Sequence, residues 1–507
     1  MKKMIVVVVT IFTLSMLLTS VSLADVIFYD SFDNQSDWQP RPATNDASPS
    51  GGVATCDYTT SNCAWPVPAG WSYFRSTGLW WGPTYQDTIR ITGEQGRGGY
   101  GKAFIEYTES NSGASGDGWG ADGQLTKLFN QDYQDLYARV WIKTQAGWQW
   151  PSNNDMLIKM FRAYHFDRSG SIYSFFSGGN SCPIVLWDFK HSNTYGTRGM
   201  NSFRGDPQET RYYMDGDSGS DYLLKAGDSA IEPTGTGMLA DGLWHSLEFH
   251  IKMNTYNVGT GTWNSDGVYE LWNDGELKFS RKNLLWKSTG SDPAIGWNTI
   301  AIGGNAYNSY TDPANHGEQW YAMDDVVVST TYSGPPPKPV SVAAQVLGGT
   351  SVRVSWSAGS NGAVYPLDGY RVYYGTDAAN LTDSATVGNV TQADIPNLQP
   401  GQTYYFAVAA FNKASYDSNE NESLKSEIAS TAPPKLLLGD LNGDGFVDIG
   451  DALLAMHMAV GLQKPTSDQL LHGDVAPVIN GVPTPDGVID TGDAIVILGI
   501  VVGHFFF

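Results

Sequence analysis

The sequence predicts a mainly β protein built from several modules. The chain has 507 residues, more than one compact domain usually holds. It contains 57 glycines, 17 tryptophans and 27 tyrosines but only 16% charged residues, a composition typical of aromatic strands joined by tight turns. Proline-rich breaks at residues 334–339 and 432–434 divide it. We therefore expect a large front domain, a small middle sandwich and a short tail module.

The first 24 residues have the pattern of a secretory signal. Lys2 and Lys3 precede an apolar run, and Ala24 ends a stretch of small residues of the kind that signal peptidase cleaves. We predict a removed signal rather than a retained anchor, and hence a secreted, extracellular or cell-surface protein without a membrane span. Cys56 and Cys63 are close enough to form a disulfide there, which leaves Cys182 over.

The net charge limits the class of partner. The formal charge is −22 and the isoelectric point is about 4.6. Such a chain would be repelled by the phosphates of nucleic acids and anionic membranes, so we expect no nucleic-acid partner.

Residues 25–333 contain many short strands and no long amphipathic pattern. One strand opens with Trp244 and His245, a hairpin turns at Asp274-Gly275, and a closing strand carries Asp324-Asp325. These motifs resemble the concanavalin A-like lectin/glucanase jelly roll. The resemblance implies that this domain binds polysaccharide along a sheet face. Asp30 in the opening strand and Asp325 could also meet as a structural calcium site or as a solvent-facing acidic pair.

Strand alternation selects candidate sugar-binding residues. Between residues 137 and 143, alternate side chains are apolar and would face the core, as would Leu247, Phe249 and Ile251. The opposite positions carry aromatic and charged groups that could stack on sugar rings and bind hydroxyl or carboxylate groups. The predicted carbohydrate-binding residues are Tyr137, Arg139, Trp141, Lys143 and Glu248. A solvated convex face explains the same alternation equally well.

Two cleavage reactions compete if the front domain is an enzyme. A retaining hydrolase of this fold would show Glu-x-Asp-x-x-Glu on one strand, and the sequence lacks it. A polysaccharide lyase needs a group that neutralises a uronate carboxylate and a base that removes the adjacent proton. The catalytic candidates are Tyr164, His165, His250, Arg139 and Arg162. Basic residues cluster between positions 139 and 168, which favours an anionic polysaccharide.

The middle module has strand patterns around Trp356, Tyr370 and Tyr404. The segment from Leu398 to Tyr404 resembles the tyrosine corner of a fibronectin type III domain, and Trp356 occupies the place of that family's core tryptophan. The resemblance implies a β-sandwich, usually a spacer, in which the Tyr404 hydroxyl bonds to upstream backbone.

The sequence of the tail predicts two calcium-binding (Ca²⁺) loops. Residues 440–451 place oxygen ligands at loop positions 1, 3, 5, 9 and 12, a backbone carbonyl at position 7 and Gly445 at position 6. A related loop precedes the second helix, although position 3 is Ala476 and residues 478–485 are inserted. The predicted ligands are Asp440, Asn442, Asp444, Phe446, Asp448 and Asp451 in the first loop, and Asp474, Asp486, Val488, Asp490 and Asp493 in the second.

The repeated loop and helix resemble a type I dockerin, the module by which polysaccharide-degrading enzymes attach to cohesin scaffolds. The resemblance implies a small α-helical module of paired EF-hand-type calcium loops and a cohesin-like or cell-surface docking partner. The small hydroxyl pair of many dockerins is replaced by Ile449-Gly450 and Thr491-Gly492, so an intramolecular role stays open.

The predicted order is a signal peptide (1–24), a concanavalin A-like jelly roll (25–333), a linker (334–339), a fibronectin type III domain (340–432), a linker (433–437), the dockerin-like module (438–503) and a C-terminal tail (504–507). The leading hypothesis is a secreted protein that binds and degrades polysaccharide, by a lyase reaction rather than hydrolysis. The alternative is a non-catalytic lectin-like adhesin or matrix component.

Overall fold

The structure is a computed structural model that describes residues 26–41, 53–79, 86–107, 119–148, 156–175, 181–192, 196–206, 211–212, 231–232, 241–307, 319–417, 419–434 and 437–506. The predicted signal peptide lies outside these residues. Within them, no helix combines the length and apolar character needed to cross a membrane. Buried apolar side chains form separate main cores in the front domain, the middle sandwich and the tail.

The front domain is mainly β. In chain order its described strands are β1 Val26–Asp30, β2 Val53–Cys56, β3 Tyr73–Leu79, β4 Gln86–Asp87, β5 Ile89–Thr92, β6 Ala103–Tyr107, β7 Trp119–Tyr133, β8 Asp135–Thr144, β9 Met156–Tyr164, β10 Ile184–Ser192, β11 Gly196–Arg204, β12 Arg211–Tyr212, β13 Ile231–Glu232, β14 Trp244–Lys252, β15 Tyr256–Asn257, β16 Thr262–Trp263, β17 Gly267–Asn273, β18 Glu276–Leu284, β19 Trp297–Tyr307 and β20 Trp320–Ser329. One turn of 3₁₀ helix spans Arg97–Gly99.

The strands form two antiparallel sheets. In the described part of the chain, one sheet has eight strands in the order β18-β17-β14-β8-β20-β6-β5, with β1 paired to β20. The other has ten, in the order β12-β11-β10-β9-β19-β7-β3-β2, with β13 on β11 and β4 on β3. The sheets pack face to face, so each has an inner face in the core and an outer face.

The predicted alternation places the core correctly. Val140 and Ile142 of β8 and Phe249 of β14 are buried between the sheets. The Phe249 ring stacks on Phe161 of β9 at 4.2 Å, which joins the two sheets. The hairpin between β17 and β18 turns at Asp274, where the predicted Asn-Asp-Gly sequence accepts the positive φ that this turn requires.

The pairing of the cysteines agrees with the sequence prediction. Cys56 and Cys63 form a disulfide. Cys182 is buried outside it, in a small cluster beside Tyr164.

The middle sandwich has two sheets. Its strands are β21 Val340–Gly348, β22 Ser351–Ser357, β23 Gly369–Gly375, β24 Asp383–Val387, β25 Gln392–Ile395, β26 Tyr404–Asn412, β27 Asn421–Glu422 and β28 Ala429–Thr431. Trp356 and Tyr370 pack together in the core, with ring centroids 5.2 Å apart. The Tyr404 hydroxyl accepts a hydrogen bond from the Gln399 N–H at 3.2 Å, which is the predicted tyrosine corner.

The middle sandwich contacts the front domain through buried charges. Its Asp417 carboxylate lies 2.9 Å from Arg139 and 3.4 Å from Arg97, and Arg97 also pairs with Asp325 at 2.5 Å. Nearby, the Trp272 indole donates to the Asn361 carbonyl at 2.8 Å. The expected spacer is therefore fixed against the eight-stranded sheet, because a buried arginine needs its counter-charge.

Among the described residues, the α-helices lie in the tail. It contains α1 Ile449–Ala459, α2 Ser467–Gly473 and α3 Thr491–Val501, with a short hairpin of β29 Val478–Ile479 and β30 Val482–Pro483. Asp448 and Asp490 cap α1 and α3 through matching capping boxes. Phe505 packs against α3 at Gly499, whereas Phe506 is exposed. A hydrogen bond from the Gly349 N–H to Asp468 at 2.7 Å joins the tail to the middle sandwich.

The interdomain charges generate a first prediction. We expect Asp417→Asn to lower the free energy of unfolding by about 3 kcal/mol, because it leaves Arg139 buried without its carboxylate. Urea unfolding of the full chain, with limited proteolysis near residue 334, measures this.

Asp394→Asn is the matched control. Asp394 also pairs with an arginine of the middle sandwich, Arg353, but this pair is exposed and should matter little. Equal unfolding midpoints for the two variants would show that the buried contact does not hold the domains together.

Candidate functional site

The two outer faces of the front domain separate the predicted site residues. Arg139 and Glu248 lie on the eight-stranded sheet, and Arg162 lies on the ten-stranded sheet. The predicted cationic and aromatic groups therefore do not meet in one groove.

The middle sandwich and its linker cover two predicted carbohydrate-binding residues. Arg139 is fully buried and donates to the Ser333 carbonyl at 2.8 Å as well as to Asp417. Glu248 is also buried and accepts the Ser333 N–H at 2.7 Å. Burial raises the pKa of Glu248 to about 7. Both side chains hold the domains together, which corrects their expected place on an open sugar-binding face.

The other predicted residues of this face differ in exposure. Trp141 is buried beneath the Arg97 guanidinium, 4.2 Å from the ring centroid, which also corrects its expected exposure. Tyr137 stacks on the His250 ring at 4.2 Å. Lys143, at the far end of β8, is half-buried.

His250 is held between two carboxylates. Its Nε2 lies 2.8 Å from Asp135 and its Nδ1 lies 3.0 Å from Glu270. Burial lowers its pKa, but the two carboxylates outweigh burial and the net pKa is raised. Because both ring nitrogens already contact carboxylates, neither is free to take a proton from a substrate, so the structure gives no support to the predicted catalytic role.

The ten-stranded sheet carries a compact polar group on its outer face. The strand register places Asp188 opposite Lys159, Arg162 opposite Ala301, and Gln124 between Gly303 and Arg75. Neighbouring strands lie about 4.8 Å apart, so these side chains form one patch across five strands. We call it the polar cradle: Arg75, Gln124, Lys159, Arg162 and Asp188.

Arg162 is the best-defined member of the polar cradle. Its Nη1 donates to the Gly303 carbonyl at 3.2 Å, and its guanidinium lies 4.9 Å from the Phe175 ring centroid. The absence of a side chain at Gly304 makes room, since a Cβ there would lie 2.7 Å from Arg162 Nη2. The Nε of Arg162 has no hydrogen-bond partner in the described structure. Arg162 thus keeps a buried donor for a ligand.

Asp188 gives the polar cradle a titratable group. It is buried, with only 2% of its surface exposed, and its Oδ1 has no partner among the described residues. Burial raises the pKa of Asp188 to about 7, while Lys159 and Arg162 pull it down. A carboxyl group with such a pKa can hold or release a proton near neutrality.

Tyr164 and His165 lie beside the cradle but are engaged elsewhere. The Tyr164 hydroxyl is buried and donates to the Ile172 carbonyl at 3.3 Å, and burial raises its pKa. His165 Nδ1 lies 3.0 Å from both the Gly296 carbonyl and Asp132. The sealed Tyr164 hydroxyl corrects its expected availability as a base.

The sequence indicates one member of the polar cradle that the predicted site residues did not include. Asp188 interrupts the apolar run from Ile184 to Phe189, and a charged residue inside a buried strand marks a special site. Gln124 and Arg75 had no comparable sign, because only the strand order brings them beside Arg162.

In the tail, the side chains of the predicted calcium ligands accept hydrogen bonds from the backbone of their own loop. Asp451 accepts the N–H groups of Leu441 and Asn442 at 2.9 and 3.0 Å, and Asp440 accepts those of Gly443 and Gly445. Asn442, Asp444 and Asp448 likewise accept loop N–H groups.

The second loop repeats this arrangement. Asp493 accepts the N–H groups of Val475 and Ala476 at 2.7 Å, as Asp451 does in the first loop. Asp474 accepts those of Asp486 and Gly487 at 3.0 and 2.6 Å. The insertion between Asp474 and Asp486 forms the β29–β30 hairpin, so the loop still closes.

The oxygen-rich loops suit calcium in their donor type. None of their aspartates forms an ion pair within the described structure, so a bound cation would offset negative charge that no basic side chain there neutralises. No group of three or more His, Cys, Asp or Glu side chains in the described residues is arranged to hold a metal ion. The calcium prediction therefore rests on the loop pattern and not on a preformed side-chain cluster.

The further calcium site expected at Asp30 and Asp325 does not match their contacts. Asp30 accepts the Trp71 indole N–H at 2.7 Å. Asp325 binds the Arg97 guanidinium and the Tyr29 hydroxyl instead. Their oxygens serve separate local contacts.

Comparison with known proteins identifies the middle module. Residues 335–427 match the family model for the fibronectin type III domain. This segment is a fibronectin type III domain. Its tyrosine corner and its buried Trp356 confirm the resemblance seen in the sequence.

Curated relatives match only part of the chain. A Kelch domain-containing protein of Saccharolobus solfataricus is 30% identical over 102 residues, 20% of this chain and 13% of that protein. A putative receptor-type tyrosine-protein phosphatase of Culex quinquefasciatus is 29% identical over 133 residues, 24% of this chain and 8% of that protein. The chain thus spans a small fraction of either relative.

Solved structures similar to this chain include alginate lyases. Alginate lyase Aly36B is 14% identical with a TM-score of 0.32, over 48% of this chain and 82% of that one. The alginate lyase vAL-1 from Chlorella virus is 12% identical with a TM-score of 0.31, over 48% and 88%. A likeness of this extent leaves the activity of this chain open.

The histidine at the hairpin gives a pH prediction. His245 lies 2.7 Å from both Asp274 and Asp241, and although burial opposes the charge, these carboxylates raise its pKa from 6.5 to about 9. The charged form stabilises the fold fully below pH 6.5, and this contribution is lost as the pH rises through 9. His245→Gln should therefore cost roughly 2 kcal/mol near pH 6 and much less above pH 9.5.

Thermal unfolding of the wild type and of His245→Gln at both pH values measures this difference. His457→Gln, at an exposed position of α1, is the control. A cost that does not change with pH would mean that His245 acts only by packing.

Proposed function

We propose that the front domain binds an anionic polysaccharide in the polar cradle and cleaves it by elimination. The observation that carries this proposal is the burial of Lys159 and Arg162 beside Asp188 on an outer sheet face. In a chain with a formal charge of −22, two buried cations on one face form a local site for negative charge.

A carboxylate of the substrate would pair with Arg162. An arginine binds carboxylates through parallel N–H donors, and the unpartnered Nε is one such donor. The neighbouring Gln124 and Arg75 extend the polar surface across the adjacent strands, as a linear polymer requires. Neutralising the uronate carboxylate would make the proton beside it easier to remove.

Asp188 would take part in the proton transfer. Its pKa near neutrality matches the requirement for an acid or base, and its buried Oδ1 has no hydrogen-bond partner among the described residues. Tyr164 is less suitable because its hydroxyl is already hydrogen-bonded in a buried position. Elimination needs no water: Asp188 takes the proton as the C5–H bond of the uronate breaks, a C4–C5 double bond forms, the C4–O glycosidic bond breaks, and the proton passes to the leaving oxygen.

A non-catalytic lectin-like domain is the second candidate. It is favoured by the engagement of Tyr164 and His165 in contacts within the fold. A binding domain needs the cations of the cradle but no proton acceptor.

Glycan digestion separates these functions. The full chain is incubated with linear polyuronates and neutral glucans. The ultraviolet absorbance that unsaturated uronate ends produce is recorded together with binding. We expect Arg162→Gln to reduce both binding and any cleavage at least about tenfold, and Asp188→Asn to reduce cleavage while leaving binding largely intact.

Arg281→Gln is the control, because Arg281 belongs to β18 on the other sheet. Binding of polyuronate without new absorbance would favour the lectin-like function. Unchanged binding by a folded Arg162→Gln variant would contradict the proposed site.

We also propose that the tail binds calcium and serves as a docking module of the dockerin type. Support comes from the repeated aspartate loops before α1 and α3 and from their lack of ion-pair partners in the described structure. Metal binding would couple to the folding of this small module. The partner would be a cohesin-like or cell-surface protein of a secreted assembly.

Hydrogen exchange on the full chain, with and without a chelator, tests the metal. We expect calcium to slow exchange across α1 and α3 by at least about tenfold and to leave the two sandwiches unchanged. Asp448→Ala should abolish the effect around α1, whereas Asp383→Ala in the fibronectin domain should not. Equal exchange of the tail with and without calcium would exclude a folding-coupled site.

A further inference from the structure

The eight-stranded sheet has a second polar surface beyond the contact with the fibronectin domain. The register aligns one residue from each of five adjacent strands in a row across β5, β6, β20, β8 and β14: Arg90, Ile105, Ala322, Lys143 and Trp244. With strands about 4.8 Å apart, the row is about 19 Å long. It carries a cation near each end and small or aliphatic side chains in the middle.

A second row lies directly beside the first. Tyr107 pairs with Trp320, and the Gln145 N–H donates to the Trp320 carbonyl at 3.0 Å. These residues are two positions along their strands from the first row, so they share its face. The Arg90 guanidinium lies 4.5 Å from the Tyr107 ring centroid. The two rows therefore combine aromatic rings with cations.

Trp244 and Trp320 pack against the sheet but are only partly buried. Trp244 and Trp320 pack on a small buried cluster that includes Ile105 and Ala322. Both remain half-buried, so part of each ring faces away from the cluster. This differs from Trp141 on the same sheet, which Arg97 covers.

Neither cation of this surface has a carboxylate partner in the part of the chain that the structure describes. Lys143 makes no ion pair or hydrogen bond within the described residues, and the Nε of Arg90 has no partner there either. Other lysines at the edge of this sheet are paired: Lys252 with Asp135, Lys278 with Glu276, and Lys282 with Glu270. In so acidic a chain, unpaired cations beside accessible rings indicate an external anionic partner.

We propose that this surface, the aromatic platform, is a second binding site for an acidic sugar chain. The indole faces of Trp244 and Trp320 would pack on sugar C–H surfaces, and Lys143 would pair with a carboxylate. The aromatic platform lies on the opposite outer face from the polar cradle. The proposal extends the proposed function, since a polymer held at the platform stays close to the cradle of the same molecule.

Affinity electrophoresis of the full chain tests the aromatic platform. The probes are a soluble linear polyuronate and a neutral linear glucan. We expect Lys143→Gln to weaken retardation by polyuronate about fivefold and Trp244→Ala to weaken it at least as much. Lys282→Gln is the matched control and should behave as the wild type. If Trp244→Ala does not fold, Lys143→Gln still tests the platform, because Lys143 is only half-buried.

The outcomes separate the two sites. A loss in the platform variants while Arg162→Gln still binds would support the platform and count against the cradle. A loss only in Arg162→Gln, with Lys143→Gln and Trp244→Ala equal to the wild type, would overturn the platform and leave the cradle in place. Equal retardation by the neutral glucan would overturn the assignment of an acidic ligand.

Discussion

The carboxylate of Asp417 belongs to the fibronectin domain, yet its partners are two arginines of the front domain. Arg139 is fully buried, and a buried guanidinium without a counter-charge is strongly destabilising. The fibronectin domain is therefore part of the electrostatics of the sandwich. Its position covers the middle of the eight-stranded sheet and decides which surfaces can meet a ligand.

The two proposed binding surfaces share one chemical character, since each carries basic side chains. The polar cradle buries Lys159 and Arg162 beside Asp188, and the aromatic platform leaves Lys143 without a partner. A chain with 52 acidic and 30 basic residues has enough carboxylates to pair its cations internally. Basic side chains placed on both outer faces of so acidic a chain are consistent with a polyanionic ligand.

The tail is a very small module, and its aspartates help to stabilise its fold. Asp451 and Asp493 each accept backbone N–H groups from the start of their loop and also complete the capping box of the following helix. One carboxylate thus fixes both the loop and the helix entry. The apolar core around Leu441 and Ile497 is small, so added stabilisation from a bound cation would have a large effect.

The sequence by itself determined which residues share a face. The two-residue period of the strands assigned Val140 and Phe249 to the core, and the Asn-Asp-Gly segment predicted the hairpin at Asp274. The tyrosine corner at Tyr404 and the aspartates before α1 were also readable, because both depend on residues close together in the chain.

Only the tertiary structure decided which outer face is open. Arg139 meets Asp417 across 278 residues, and no local pattern encodes that contact. The same holds for the polar cradle, where strand order places Gln124 of β7 and Asp188 of β10 on either side of Arg162. Alternation specifies a side of a strand, whereas solvent exposure depends on what packs against that side after distant segments assemble.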